Sequence, residues 1–164
     1  MQHLKPTEAS LYITLLEQLE SESEFLLFEP GERQMSENQA KAMIESFREQ
    51  GNSTIIGVMR NGELVGHITC LGGQARRNCH AVKLVIGVKK EYRGEGIASS
   101  LFDCAIKWAE EKELKRLELM VMTHNEQAIG LYEKYDFQIE GVKKNSLKVS
   151  GDWVDEYIMA RILP

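Results

Sequence analysis

The stretch "LVIGVKKEYRGEGIASSLFDCAIKWAEEKE", residues 84–113, decides the fold. It opens on an apolar run of strand type and closes on a helical pattern that puts Ile97, Leu101, Ala105 and Trp108 on one face. Between the two lie Arg93, Gly94 and Gly96. Glycine loses more freedom on ordering than any other residue. Two glycines at a strand-to-helix junction therefore point to something that must approach the backbone closely. The segment "KRLELMVMT", residues 115–123, then reads as another strand. A helix crossing between neighbouring strands makes that pair parallel.

Outward from this unit, the pattern on both sides is antiparallel. Residues 54–73, "TIIGVMRNGELVGHITCLGG", are two strands joined by Asn61-Gly62, a strong two-residue hairpin signal. "GGQARRN" makes a loop, and "HAVKLVIGV" is a third strand. After the parallel unit, "NEQAIGLYEKYDF" is a short helix opened by Asn125. Two final strands, about residues 137–148 and 153–163, turn at Ser150-Gly151-Asp152. The first 50 residues read as mostly helical, with Leu11, Leu15, Leu16 and Leu19 at helical spacing. Ser36 and Gln39 stand in capping-box positions ahead of a second helix, and "EFLLFEPGERQ" is the loop between. The expected fold is α+β: a mixed, mostly antiparallel central sheet with one parallel strand pair, flanked by helices. No repeat or low-complexity linker interrupts it, so residues 1–164 are expected to form a single domain.

Composition narrows the function classes. Apolar residues are 43% and charged residues 27% of the chain, an ordinary globular balance. The net charge of −5 argues against nucleic acid as a partner, although Arg76 and Arg77 form a local basic patch. No apolar run approaches a membrane span, and "MQHLKPTEAS" lacks the apolar core of a signal peptide. A cytoplasmic location with no membrane partner is expected. Three cysteines without C-x-x-C spacing argue against a disulfide framework or a metal site. Cys104 falls on a helical apolar stripe, and Cys70 and Cys79 flank a polar loop as free thiols.

The segment Arg93-Gly94-Glu95-Gly96-Ile97-Ala98-Ser99 is suited to phosphate. The first N–H groups of a helix have no internal partner, and the helix dipole adds partial positive charge there. Arg93 supplies a cation beside them. No lysine follows as a P-loop requires. A dinucleotide fingerprint requires a small residue where Ser99 stands, together with repeated strand–helix units, and those units are missing.

Arg93-x-x-Gly96-x-Ala98, placed after a strand and before an amphipathic helix, resembles the pyrophosphate loop of the GNAT superfamily of N-acetyltransferases. "NEQAIGLYEKYDF" resembles the second motif of that family, and the element order from residue 54 onward is similar as well. The ending "VSGDWVDEYIMARIL" and the loop "EFLLFEPGER" resemble bacterial members that act on amino acids or protein N-termini. The resemblance implies acetyl-CoA as cosubstrate and a primary amine as acceptor, either a small molecule such as an amino acid or antibiotic-like amine or a peptide. It implies that Arg93 to Ser99 hold the pyrophosphate, that Asn125 contacts the cofactor arm, and that Ile86 and Val88 pair with the arm through their backbone. It also implies an oxyanion contact near the Val88 N–H and Tyr132 as general acid.

A tyrosine near pKa 10 keeps its proton at neutral pH and can pass it to a departing thiolate. Tyr135 is the rival for that role. For a base, Glu118 is the leading candidate, since a carboxylate midway along a central strand is costly to bury without a task. His67, His80 and Glu156 stand behind it. The acceptor site is expected between the loop carrying Phe25, Phe28, Glu29 and Glu32 and the hairpin around Trp153. Lys89 or Lys90 is the candidate for the 3′-phosphate. Relatives with this ending commonly pair, which makes a homodimer the expected assembly. A protein N-terminal acetyltransferase and a non-catalytic acyl-CoA sensor are the alternative readings.

Overall fold

The computed structural model describes residues 1–164. In chain order the strands are β1 (Gln2–His3), β2 (Thr54–Arg60), β3 (Glu63–Gly72), β4 (Ala81–Val88), β5 (Arg116–Met122), β6 (Gln138–Val149) and β7 (Asp152–Ile162). The helices are α1 (Ala9–Glu22), α2 (Glu37–Gln50), α3 (Ile97–Glu111) and α4 (Glu126–Lys134). The seven strands form one sheet in the order β1-β2-β3-β4-β5-β7-β6, and β4 and β5 are its parallel pair. The mixed sheet with one parallel pair is thus observed as read from the sequence. No helix is long and apolar enough to cross a membrane.

Both hairpins close where the sequence placed them. Asn61 and Gly62 take φ of 49° and 83°, and Ser150 and Gly151 take 50° and 94°. Two consecutive left-handed residues give the turn whose twist matches that of the flanking strands. Ser36 caps α2 by accepting from the Gln39 N–H at 3.2 Å, while Gln39 Oε1 accepts from the Ser36 N–H at 2.8 Å. The two-residue β1 was not evident in the sequence. It pairs with β2 through Gln2↔Gly57 and is too short to show a period.

The two sheet faces are covered differently. On one, Val82, Leu84, Leu117, Leu119 and Val121 pack with Leu101, Phe102 and Ala105 of α3, all buried. Phe102 is the hinge of this core, stacked on Tyr135 at 5.0 Å and edge-on to Tyr132 and Phe137 at 5.7 and 5.8 Å. Burying one such ring contributes roughly 1.5–3 kcal/mol and here fixes α4 to α3. On the other face, α1 and α2 pack Leu15, Leu19 and Ile44 over the first strands. Tyr12 of α1 hydrogen-bonds Thr69 of β3 at 2.9 Å, and the buried His67 ring bonds the same hydroxyl at 3.0 Å. Beyond α1 that face lies open, and Val85 and Met120 are exposed on it.

Candidate active site

The parallel pair holds for three residues only, from Ala81↔Arg116 to Lys83↔Glu118. Past that point β4 and β5 diverge while β4 stays paired to β3 through Gly66↔Val88. The Lys89 N–H donates to the Val65 carbonyl at 2.9 Å, which sets the alternation along the β3–β4 ladder. Residues 83, 85 and 87 therefore direct their peptide groups to β3, while the Leu84 carbonyl and the peptide groups of Ile86 and Val88 face the gap left by β5. A strand edge left unpaired inside a sheet offers its N–H and C=O groups to a partner. An extended chain of alternating amides would supply one here.

At the end of that edge the backbone turns through Gly94 and Gly96, with φ of 83° and 78°. A Cβ at either position would meet no protein atom within 4 Å, so the glycines are required by backbone conformation and leave the space beside them open. Gly96 caps α3 with no side chain, and the first bond inside the helix runs from the Ser100 N–H to the Gly96 carbonyl at 3.0 Å. The N–H groups of Ile97, Ala98 and Ser99 are left as free donors at the positive end of the dipole. Arg93 lies beside them, its Nε donating to the Val88 carbonyl at 3.1 Å. That bond satisfies the carbonyl of Val88 and leaves its N–H facing the gap.

The opposite wall is α4. Asn125 Oδ1 accepts from the Ala128 N–H at 3.2 Å and so caps the helix, which leaves Nδ2 for a ligand. Tyr132 is 8% exposed, and burial pushes its hydroxyl up to about 12. Tyr135 is committed elsewhere: its hydroxyl donates to the Ser99 carbonyl at 2.7 Å and lies 3.0 Å from Asp103 Oδ1.

One cleft of about 940 Å³ joins these parts. Ile86, Val88, Arg93, Gly94, Gly96, Ile97, Ala98, Ser99, Asn125 and Tyr132 all line it. Glu95 is exposed on the outer side of the turn and does not. The residues present fit a long ligand with a pyrophosphate at one end and an amide-bearing arm along β4.

The acceptor half departs from the sequence reading. Glu118 does not reach the cleft, because its carboxylate pairs with Arg116 at 2.9 Å and Arg116 also holds Glu140. His67 is sealed under α1, and burial, with the Arg33 charge adding to it, drives its pKa down to about 3. His80 is an exposed turn residue. Glu156, on β7 opposite Met122, is instead the acidic residue that lines the cleft.

Of the first loop, Phe25 lines the cleft, 5.3 Å from the His124 ring. Phe28 instead lies under the Arg33 guanidinium at 4.3 Å, and Glu32 accepts from the Glu29 N–H. Trp153 stands exposed near the hairpin tip, away from the cleft. Lys89 is fully buried against Glu63, which leaves Lys90 as the free cation of that pair.

Lys143 and Ser146 line the cleft and were not anticipated. They lie in an irregular part of β6, where the register with β7 shifts between Lys143 and Leu147 and Asn145 takes φ of 48°. A bulge re-aims side chains in a way that alternation alone does not reveal.

Comparison with known proteins adds the following. A family model described as the acetyltransferase (GNAT) family matches residues 14–137. An L-amino acid N-acetyltransferase of Escherichia coli strain K12 is 36% identical over 103 residues. That match covers 62% of this chain and 64% of the relative, a little under two thirds of its length. A GNAT-family acetyltransferase of Streptococcus pneumoniae superposes with a TM-score of 0.95 at 24% identity, over 99% of this chain and 98% of the other. A putative acetyltransferase of Salmonella typhimurium, solved with acetyl-CoA, gives 0.87 at 14% identity, over 99% and 92%. These two likenesses are of fold.

Proposed function

The chain belongs to the GNAT acetyltransferase family, and from that premise we propose that it transfers the acetyl group of acetyl-CoA to a small-molecule primary amine by direct attack of the amine. The observation that carries this reading is the single cleft in which the unpaired β4 edge, the glycine turn and Tyr132 meet. Acetyl-CoA, when bound, supplies an activated acyl carbon as a thioester. The Leu84 carbonyl and the peptide groups of Ile86 hold an extended arm along β4, and the donors from Ile97 to Ser99 hold a diphosphate. The Val88 N–H, fixed at the strand end, polarises a carbonyl oxygen without reorganising. Tyr132 keeps its proton in the buried wall and delivers it to sulfur. Glu118 has no part in this account, because Arg116 occupies it outside the cleft. Glu156 receives the proton that the incoming ammonium sheds.

The test is release of free thiol from acetyl-CoA in the presence of a panel of small primary amines. The proposal expects release that depends on an amine and yields an N-acetyl product. Binding of acetyl-CoA with no amine-dependent release would favour the acyl-CoA sensor instead.

A further inference from the structure

The acceptor half of the cleft holds one anion and one cation side by side, and neither has its capacity filled. Glu156 is nearly buried, and its Oε2 accepts from Ser146 Oγ. No protein group donates to its Oε1, which is not sealed from solvent. Lys143 Nζ stands 3.8 Å from the same Oε2 and 3.7 Å from Met120 Sδ, too far from the oxygen for a hydrogen bond. The register Lys143↔Glu156 puts both on one sheet face. A partly desolvated charge with spare donors or acceptors favours an opposite charge brought by a ligand. Glu156 is desolvated in this way and Lys143 is an exposed cation at its side, and the two together fit a ligand that carries both signs close together.

We infer that the acceptor is a free α-amino acid with an apolar side chain, its ammonium on Glu156 Oε1 and its carboxylate on Lys143. This rests on the acetyl-transfer reading above and names the substrate class of that site. Ammonium and carboxylate one carbon apart match the neighbouring anion and cation. Phe25, Leu26 and Leu27 from the first loop, with Met120 and Leu147 from the sheet, form an apolar wall beside the pair. Lys83 adds a second cation to the same lining. A peptide N-terminus carries an amide where the carboxylate would be and leaves Lys143 unanswered.

The experiment compares kcat/KM for leucine, methionine and phenylalanine with their carboxamides and with a tripeptide amide, in the wild type, Lys143→Gln and Lys143→Arg. The wild type should prefer the best free acid over its amide by at least tenfold. Lys143→Gln should bring that ratio to about one, and Lys143→Arg should restore most of it. An amide or tripeptide used as well as the acid would overturn the inference, as would a ratio that Lys143→Gln leaves unchanged. The ratio is insensitive to partial loss of folded enzyme, and the thermal shift with acetyl-CoA reports the fold of each variant. Acetylation of amides alone would sink the inference but keep the transfer reading, whereas no acetyl-CoA shift in the wild type would sink both.

Discussion

Tyr132 is suited to donate a proton because of where its ring is packed. Burial against Phe102 and Phe137 pushes the hydroxyl up to about 12, so the acid form persists through any ordinary working pH. Tyr132→Phe should keep acetyl-CoA binding and slow transfer by about 10²–10⁴-fold, the usual contribution of a positioned acid. Because the raised pKa keeps the proton on, the wild-type rate should show no falling limb from this residue between pH 8 and 10. A limb centred near pH 10 that disappears in Tyr132→Phe would contradict the assignment. Spacing was enough to place Tyr132 on the cleft wall, since Asn125 and the helix that follows it fix its position locally. Glu118 lies outside the cleft for a physical reason. Its partner Arg116 is bridged to Glu140 of β6, and no local pattern reveals a contact made across the sheet.

At the scale of elements, glycine has opposite effects in two helices. Gly96 sits at φ of 78° with open space around it, so Gly96→Ala meets no clash and only backbone strain. That strain should cost about 1–2 kcal/mol, a Tm drop of roughly 2–8 °C. The added methyl group at the mouth of the anion site should also weaken acetyl-CoA binding. Gly130, inside α4 with nothing near it, carries no such requirement, and Gly130→Ala should stabilise by about 0.5–1 kcal/mol. Thermal unfolding of the two variants checks both signs. If both substitutions destabilise, the account of α4 is wrong. The hairpins, caps and parallel unit were legible because turn residues and periods are local signals. The bulge that aims Ser146 at Glu156 was not, since it is visible only as a register shift between two long strands.

Over the whole molecule, stability should depend on acid through a residue outside the cleft. His67 must give up its proton to be buried beside Tyr12 and Thr69, and its pKa falls from the ordinary 6.5 to about 3. Between those values the unfolded chain binds the extra proton, so stability is full above pH 6.5 and falls as pH drops toward 3. His3, also lowered by burial, acts in the same direction. Urea unfolding at pH 5 should show about 2 kcal/mol less stability than at pH 7, most of it absent in His67→Asn. Equal midpoints at the two pH values would contradict this.

The central claim concerns the gap between β4 and β5, and thermal unfolding with acetyl-CoA, dephospho-CoA, ATP and NAD in parallel tests it most directly. At 100 times its dissociation constant a ligand adds about 2.7 kcal/mol, a shift of roughly 5–11 °C for a chain of this length. The account predicts that shift with acetyl-CoA, a smaller one with dephospho-CoA, and none with ATP or NAD. A shift with ATP or NAD instead, or with no ligand at all, would mean that the Arg93–Ser99 turn does not hold coenzyme A.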